Sequence, residues 1–489
     1  MKGPYPESYW LEPSRILCGE YPRTKSNDAE PEKMRAILEA GVRVFVDLTE
    51  EGELSPYTDI ARNVATSIGL DPDSLEFYRH PIRDVSIPDD PAEMRATLRQ
   101  IRLARHSHKT VYLHCWGGVG RTGTVAGCLL RDLFGCSGDE ALSRFQESWN
   151  HCAKSAHRGA PETEEQREYI RSFNPLESSS LQRIRDAVIG AATGDALGVP
   201  VEFKGREARK EDPVSTMREF GTHQQPAGTW SDDSSMIFAT MDGLSEAGEF
   251  SPEAVMDNFD AWMGKAKYTP HGRVFDMGNA TSNAIRNFRD GLPQAEWGGS
   301  SEWSNGNGSL MRILPIGLAY ANDPDLMEKA GLVSSLTHAH ERSRFCCAFY
   351  CLVVSELLHG EGLVDATDFA WRVMDARFDF SDAERARFEK LHPDKLFKRT
   401  EESIGSSGHV IDTLEASLWV NSRHDNFAAV ALHAVNLGDD TDTTGCVAGG
   451  LAGLIYGEAG IPEEWKKVLV GQDRISKWCE DFALYLGKN

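Results

Sequence analysis

Disulfide pairing has little to build on in this 489-residue chain: its ten cysteines include no CxxC pair. They lie scattered at 18, 115, 128, 136, 152, 346, 347, 351, 446 and 479, which suits reduced thiols better than a disulfide framework. Basic residues are in deficit, with 52 Lys and Arg against 75 Asp and Glu and a formal net charge of -23. A polyanion would need a local basic pocket in that field, so nucleic acid is not an expected partner. No uncharged apolar run approaches the ~18 residues that span a bilayer, and no membrane partner is expected. Residues 1–15, MKGPYPESYWLEPSR, lack the basic start and apolar run of a signal peptide, so a cytoplasmic location is expected. Low-complexity segments and internal repeats are also missing.

What is present is enough for more than one core. Hydrophobic residues make up 40% of the chain, and length alone suggests domains of about 150 residues each. Residues 31–41 read as a helix, 41–49 (GVRVFVDLT) as a buried strand, 91–106 as a second helix and 111–113 as a short apolar strand. That alternation predicts an α/β domain with a mostly parallel sheet and flanking helices. The periodicity lapses at 175–180 into turn formers, which reads as a linker between a domain at 1–174 and another at 181–489. Beyond it, 181–198, 251–267, 344–360 and 412–423 all read as helices while β-branched strand runs are scarce, so the second domain is expected to be all-α.

Residues 111–124, VYLHCWGGVGRTGT, hold the strongest local signal of the first domain. A strand ends at Leu113, a glycine-rich loop follows, and 122–133 reads as a helix. Loop N–H groups and a helix N-terminus then converge on one anion and favour Cys115 as a thiolate nucleophile. Arg121 suits a bidentate grip on phosphate oxygens. Gly117, Gly118 and Gly120 let the backbone approach, and Trp116 either shapes the pocket or packs beside it.

The pattern His-Cys-x5-Arg-Thr resembles the cysteine-dependent protein phosphatases, most closely the compact dual-specificity and bacterial tyrosine-phosphatase-like group, over residues 5–174. The resemblance implies a phosphomonoesterase working through a cysteinyl-phosphate, without a cofactor. Residues 116–121, namely Trp116, Gly117, Gly118, Val119, Gly120 and Arg121, would cradle the phosphate. Thr122 matches the hydroxyl that assists departure of the thiolate. Residues 80–88, HPIRDVSIP, look like the acid loop, which makes Asp84 the candidate general acid, with Asp89 and Asp90 nearby as competitors. Gln166 matches a water-positioning glutamine.

The second domain crowds three carboxylates and three hydroxyls into residues 436–445, NLGDDTDTTG, ahead of a small, apolar helix-like run. Such a cluster is an acidic surface turn or, if buried, a site for a cation. Hard divalent ions such as Mg²⁺ or Mn²⁺ take several carboxylate and hydroxyl oxygens at once. One loop cannot fill two such shells. Three further stretches bring acids: 190–203 with Asp195 and Glu202, 228–236 with Asp232 and Asp233, and 274–281 with Asp276.

Together these stretches resemble the ADP-ribosylglycohydrolase family, particularly its dinitrogenase-reductase-activating branch, over residues 181–470. Residues 306–315 (GNGSLMRILP), 336–340 (LTHAH) and 461–465 (IPEEW) match further family segments. The resemblance implies an all-helical fold with two divalent cations, Mg²⁺ or Mn²⁺, held by Ser231, Asp232, Asp233, Asp440, Asp442 and Thr443. Glu202 and Asp276 would act in catalysis beside them. Gly306, Asn307, Gly308, Ser309 and His338 would line the ADP-ribose site, with the loop at 307–309 on the diphosphate. His338 and His340 line the pocket or satisfy buried carbonyls, and Cys346, Cys347 and Cys351 are core residues. Two departures stand out: Ser231 where Thr is usual, and Asp439 where the family has a second glycine.

The joint expectation is a bifunctional hydrolase acting on phosphorylated and ADP-ribosylated protein or on an ADP-ribose-derived small molecule. The alternative is a phosphatase targeted by a non-catalytic helical domain that binds ADP-ribose.

Overall fold

A computed structural model describes residues 1–23, 30–174 and 180–487. The chain divides into two compact units, Met1–Glu177 and Ser178–Asn489. Of the expected linker at 175–180, only Ser180 falls within the described residues.

The first unit is built on one five-stranded sheet. Its strands are β1 (Ser8–Glu12), β2 (Ile16–Gly19), β3 (Val42–Asp47), β4 (Glu76–Arg79) and β5 (Thr110–His114), in the order β1-β2-β5-β3-β4. Only β1 runs antiparallel; β2–β5, β5–β3 and β3–β4 are parallel pairs. Both faces are covered, so β3 and β5 are buried nearly throughout rather than on alternate residues. Helices α1 (Glu30–Glu39) and α2 (Thr58–Ser67) supply Met34, Ile37, Leu38, Ala61 and Val64 to the core on one face. On the other lie α3 (Pro91–His106), α4 (Gly120–Phe134), α5 (Gly138–Trp149) and α6 (Glu164–Ser172), which bury Met94, Leu98, Val125, Leu129, Phe145 and Ile170. Helix α4 begins two residues before the expected start at 122, so Gly120 and Arg121 belong to its first turn.

The second unit is helical. The elements that matter for its site are α7 (Ser180–Gly198), α8 (Asp232–Ala247), α9 (Pro252–Lys265), α10 (Asn279–Arg289), α11 (Glu341–Leu358), α12 (Val410–Asn421), α13 (Phe427–Asn436) and α14 (Thr441–Tyr456). Helices α7 and α14 run antiparallel and touch backbone to backbone. A β-carbon at Gly190 would lie 2.4 Å from the Gly449 carbonyl oxygen, at Gly194 2.0 Å from that of Gly445, and at Gly198 2.4 Å from the Asp442 Cα. Any larger residue in the α7 positions would hold the helices apart. Their approach sets the C-terminal end of α7 against the N-terminal turn of α14, the two places where the acidic segments begin. Cys346, Cys347 and Cys351 lie fully buried along α11, as expected of core residues. Among the described residues, no helix is long and apolar enough to cross a membrane.

Gly194→Ala should lower the unfolding free energy of the helical unit by about 1–3 kcal/mol, because the new methyl meets backbone that has no rotamer to yield. Gly362→Ala, where nothing lies within 4 Å of the added atom and only a helix N-cap changes, should lower it by less than about 1 kcal/mol. Denaturant melts of the two variants check the contrast.

Candidate functional site

In the first unit, β5 delivers the chain to Cys115, and the loop from Trp116 to Val119 returns it into α4. A cleft of about 410 Å³ opens there, lined by Cys115, Trp116, Gly117, Val119, Gly120 and Arg121 together with Asp84 and Lys154. Cys115 is buried at its floor and Trp116 is half exposed at its wall. Gly118, expected around the phosphate, does not line the cleft. It takes a left-handed φ of 69°, and a β-carbon on it would lie 2.4 Å from the Gly19 carbonyl oxygen, so glycine is needed there to let the loop cross β2.

Arg121 is buried and heavily held. Its Nη1 donates to Glu53 Oε2 at 2.8 Å and to the Ile82 carbonyl at 3.0 Å, while Nη2 reaches Glu53 Oε1 at 2.7 Å and Asp84 Oδ1 at 2.9 Å. Nε has no protein partner among the described residues. The Nη1/Nη2 edge therefore belongs to Glu53, and the Nε/Nη2 edge remains for a ligand, with Asp84 resting on its outer nitrogen. The Arg121 hydrogen bonds hold the Glu53 carboxyl below its ordinary pKa. Nothing in the sequence distinguished Glu53 from its neighbours in TEEGEL; only the fold brings it to Arg121.

The competitors of Asp84 have other work. Asp89 pairs with Arg83 at the surface, 3.3 Å away, and Asp90 caps α3 by accepting from Ala92 N at 2.8 Å. Thr122 Oγ1 is buried beside the cysteine loop without a hydrogen-bond partner among the described residues. Gln166, expected to position water, is instead fully buried in the capping box of α6, and its Nε2 donates to the Ser86 carbonyl at 3.0 Å. It thereby ties α6 to the acid loop. His114, ahead of the cysteine, bonds Tyr57 Oη at 2.7 Å, and burial pushes its pKa down to about 4, so it stands neutral beneath the cleft.

In the second unit, the acids of four segments meet. Asp195 ends α7 and accepts from Ser231 N at 3.0 Å, Ser234 N at 3.1 Å and Ser234 Oγ at 2.6 Å. It pins the start of α8 and with it Ser231, Asp232 and Asp233. Ser231 caps that helix through a hydroxyl that accepts from Asp233 N at 3.2 Å. Asp440, Asp442 and Thr443 enter from the first turn of α14, with Asp440 at its cap. One side-chain atom each from Glu202, His223, Asp276 and Asp442 lies within 4.8 Å of the others. His223 was not anticipated; it hydrogen-bonds Glu202 through Nε2, which stands 3.7 Å from Asp276 Oδ2. A lone histidine in THQQP carries no spacing signal, and only the loop path brings it in.

Burial raises the pKa of six of these acids. Asp195 is pushed up to about 6 and Glu202 to about 7, and Asp232, Asp233, Asp440 and Asp442 also lie above the ordinary carboxylate range through burial and mutual repulsion. Asp233 Oδ1, Asp440 Oδ1 and Asp442 Oδ2 are buried with no hydrogen-bond partner among the described residues. Such orphaned oxygens are costly unless a cation or a proton meets them, and an all-oxygen set of carboxylates and hydroxyls fits a hard divalent ion.

Two expected ADP-ribose contacts serve elsewhere. Ser309 is fully buried, bonded by Ser334 Oγ at 3.0 Å and Cys347 Sγ at 3.4 Å, so its hydroxyl is part of the core beneath the loop. Asn307 uses its backbone N–H on the Gly408 carbonyl, at 3.0 Å, and not on a diphosphate. Its side chain donates to Asp440 Oδ2 at 3.0 Å and Thr413 Oγ1 at 2.9 Å, orienting an acid. Gly306, Gly308 and His338 do converge: a β-carbon at Gly308 would lie 2.9 Å from the His338 ring. His340 caps α11 by accepting from Arg342 N at 3.2 Å. Asp439 adopts φ 61°, the left-handed region that explains the family's glycine and that Asp tolerates, and its carboxylate accepts from Ser406 Oγ at 2.7 Å.

Residues 176–489 match the family model described as ADP-ribosylglycohydrolase, and residues 6–170 match the Swiss Army Knife protein, DSP-PTPase phosphatase domain. The ADP-ribosylarginine hydrolase Tri1 of Pseudomonas putida is 30% identical over 305 residues, covering 62% of this chain and 78% of its own length. The ADP-ribosyl-[dinitrogen reductase] glycohydrolase of Rhodospirillum rubrum is 31% identical over 287 residues, 58% of this chain and 88% of its own. A solved ADP-ribosylglycohydrolase-related protein complex superposes with a TM-score of 0.53 at 29% identity, over 64% of this chain and 99% of that one.

Two outcomes follow. Because Asp195 and Glu202 have raised folded-state values of about 6 and about 7, the folded chain binds more protons than the unfolded one between pH 4 and 7. Their contribution is complete at acid pH and lost as pH rises through those values. Metal-free protein should lose thermal stability from pH 5 to pH 8, and excess Mg²⁺ should reverse the loss, as scanning calorimetry with and without chelator reads. Glu53→Gln should lower the catalytic efficiency of the first site on p-nitrophenyl phosphate by about tenfold while leaving the fold intact, since a charged pairing to Arg121 becomes a neutral one.

Proposed function

Since the chain belongs to the ADP-ribosylglycohydrolase family and also carries a DSP-PTPase domain, both of them hydrolase families, we propose that it is a bifunctional hydrolase: a Cys-dependent phosphomonoesterase at 1–174 and, from the start of α7 at Ser180 onward, a divalent-metal-dependent hydrolase of ADP-ribosyl glycosidic bonds.

The observation that carries the second half is the set of three buried carboxylate oxygens without partners. Ser231, Asp232, Asp233, Asp440, Asp442 and Thr443 would hold the ions. Bound Mg²⁺ or Mn²⁺ would supply Lewis-acid activation and offset the acidic charge. Asn307 orients Asp440, and Asp195 fixes the turn that carries Asp232 and Asp233. Glu202, poised near neutrality by burial, exchanges a proton beside Asp276. An N-glycosidic bond to arginine on a modified protein is the substrate we favour, because the Tri1 relative acts on ADP-ribosylarginine.

At the first site, Cys115 Sγ would attack phosphorus and Asp84 would protonate the departing oxygen. Water then cleaves the cysteinyl-phosphate, with Thr122 donating to the leaving sulfur. Arg121 grips the phosphoryl oxygens through its Nε/Nη2 edge, displacing the Asp84 carboxylate that rests there. The partners are thus phosphorylated and ADP-ribosylated protein, or an ADP-ribose derivative carrying phosphate. We place the chain in the cytoplasm, a reading supported by ten free, buried cysteines.

The test is release of free ADP-ribose from an arginine-ADP-ribosylated protein with Mg²⁺ or Mn²⁺, then with chelator. Release should require the metal and vanish in the Asp440→Asn/Asp442→Asn double variant. Cys115→Ser should leave it unchanged while reducing phosphatase turnover by at least about a thousandfold. Tight ADP-ribose binding with no product under either ion would instead make the helical unit a targeting module.

A further inference from the structure

Arg312 is a buried charge of the helical unit with little compensation: its Nε and Nη1 find no hydrogen-bond partner among the described residues. It is wholly buried, stacked over Phe259 at 4.5 Å, and among the described residues no carboxylate pairs with it. Its Nη2 donates to the Val333 carbonyl at 3.1 Å and to Thr337 Oγ1 at 2.8 Å. A buried cation held by two neutral acceptors is costly to keep, and the ADP-ribosyl site lies two hydrogen bonds away.

We propose that Arg312 is a positioning residue: acting through Thr337, it fixes His338 as the Nε2–H tautomer and makes that edge a dedicated donor to an acceptor oxygen of ADP-ribose at the Gly306–Gly308 loop. The inference rests on the ADP-ribosyl reading above and adds a residue and a direction of hydrogen bonding to it.

The argument is one of donors and acceptors. A guanidinium only donates, so Thr337 Oγ1 accepts from Arg312. The one hydroxyl hydrogen of Thr337 is then free to point the other way, to His338 Nδ1 at 2.8 Å. An Nδ1 that accepts carries no hydrogen, which leaves the ring proton on Nε2. That edge faces the glycine loop. A β-carbon on Gly306 would stand 3.5 Å from Nε2, and one on Gly308 would stand 3.4 Å from it and 3.5 Å from Thr281 Oγ1. Side chains at 306 and 308 would therefore close the gap that glycine leaves open for a ligand. Asn307, between the two, holds Asp440, so the donor and the acidic cluster share one loop. Burial, reinforced by the charge of Arg312, pushes the His338 pKa down to about 3, which keeps the ring a one-proton donor at working pH.

Long-range proton–nitrogen spectra of the full chain, labelled at histidine nitrogen and assigned by loss of one signal in His338→Gln, read the tautomer directly. Wild type should show a bare Nδ1 and a protonated Nε2, unchanged from pH 6 to pH 8. Thr337→Val should mix or invert the tautomers and weaken ADP-ribose binding, measured by calorimetry with Mg²⁺, by about tenfold. Thr337→Ser, which keeps the hydroxyl, should restore both. A protonated Nδ1 in wild type overturns the inference, and this readout stands even if Thr337→Val fails to fold. So does a folded Thr337→Val with unchanged spectrum and affinity. Wild type that binds no ADP-ribose removes the ADP-ribosyl reading instead, while the spectrum still decides the tautomer.

Discussion

The contact between α7 and α14 governs the helical unit. Where Gly190, Gly194 and Gly198 meet Gly445, Gly449 and Gly453, no side chain separates the two backbones. Close approach of this kind leaves no room for water between the helices. It also sets two acidic segments side by side inside the protein, Asp195 and Glu202 following one helix and Asp440 and Asp442 opening the other. The mutual repulsion of these acids opposes folding, and helix packing supplies the geometry that overcomes it when a cation or protons are present. Other features adapt to that constraint: Asp195 gathers the start of α8, Asn307 holds one oxygen of Asp440, and His223 sits against Glu202.

The phosphatase unit solves the complementary problem. There the unpaired potential is positive, aimed into a cleft by Arg121 and by the amides that open α4. Glu53 fixes one edge of the guanidinium so that the other is preset for a planar oxygen pair. Asp84 rests on that second edge, so in the proposed mechanism an arriving phosphate would displace the same carboxylate that is proposed to carry a proton to the leaving group.

Secondary structure was legible because its signals are local. Helix α3 spans the stretch expected of it, and the apolar runs at 41–49 and 111–113 became the parallel strands β3 and β5. The two families were also legible, because the segments that carry the resemblance are consecutive in the chain: Cys115 to Arg121, Ser231 to Asp233, Asp440 to Thr443. Residues contributed singly from distant loops were not. Glu53 and His223 each sit among ordinary neighbours, and a single charge without periodicity or a fixed offset is indistinguishable from a solvated one. The side chains of Gln166 and Ser309 show the opposite case. Their positions in a motif suggested ligand contact, whereas a helix cap and a buried serine cluster use their polar atoms.

By itself the sequence determined two domains, their classes, and the chemical type of each site, since side-chain identity decides whether a pocket offers a thiol with an arginine or a set of hard oxygens. The tertiary structure alone decided which of those atoms are free. At the two sites, Asp233 Oδ1, Asp440 Oδ1, Asp442 Oδ2 and Arg121 Nε end up buried with no hydrogen-bond partner among the described residues, and others of the same residue types are absorbed in caps and ion pairs. Hydrogen-bond satisfaction depends on neighbours supplied from tens or hundreds of residues away, and no local pattern encodes those distances.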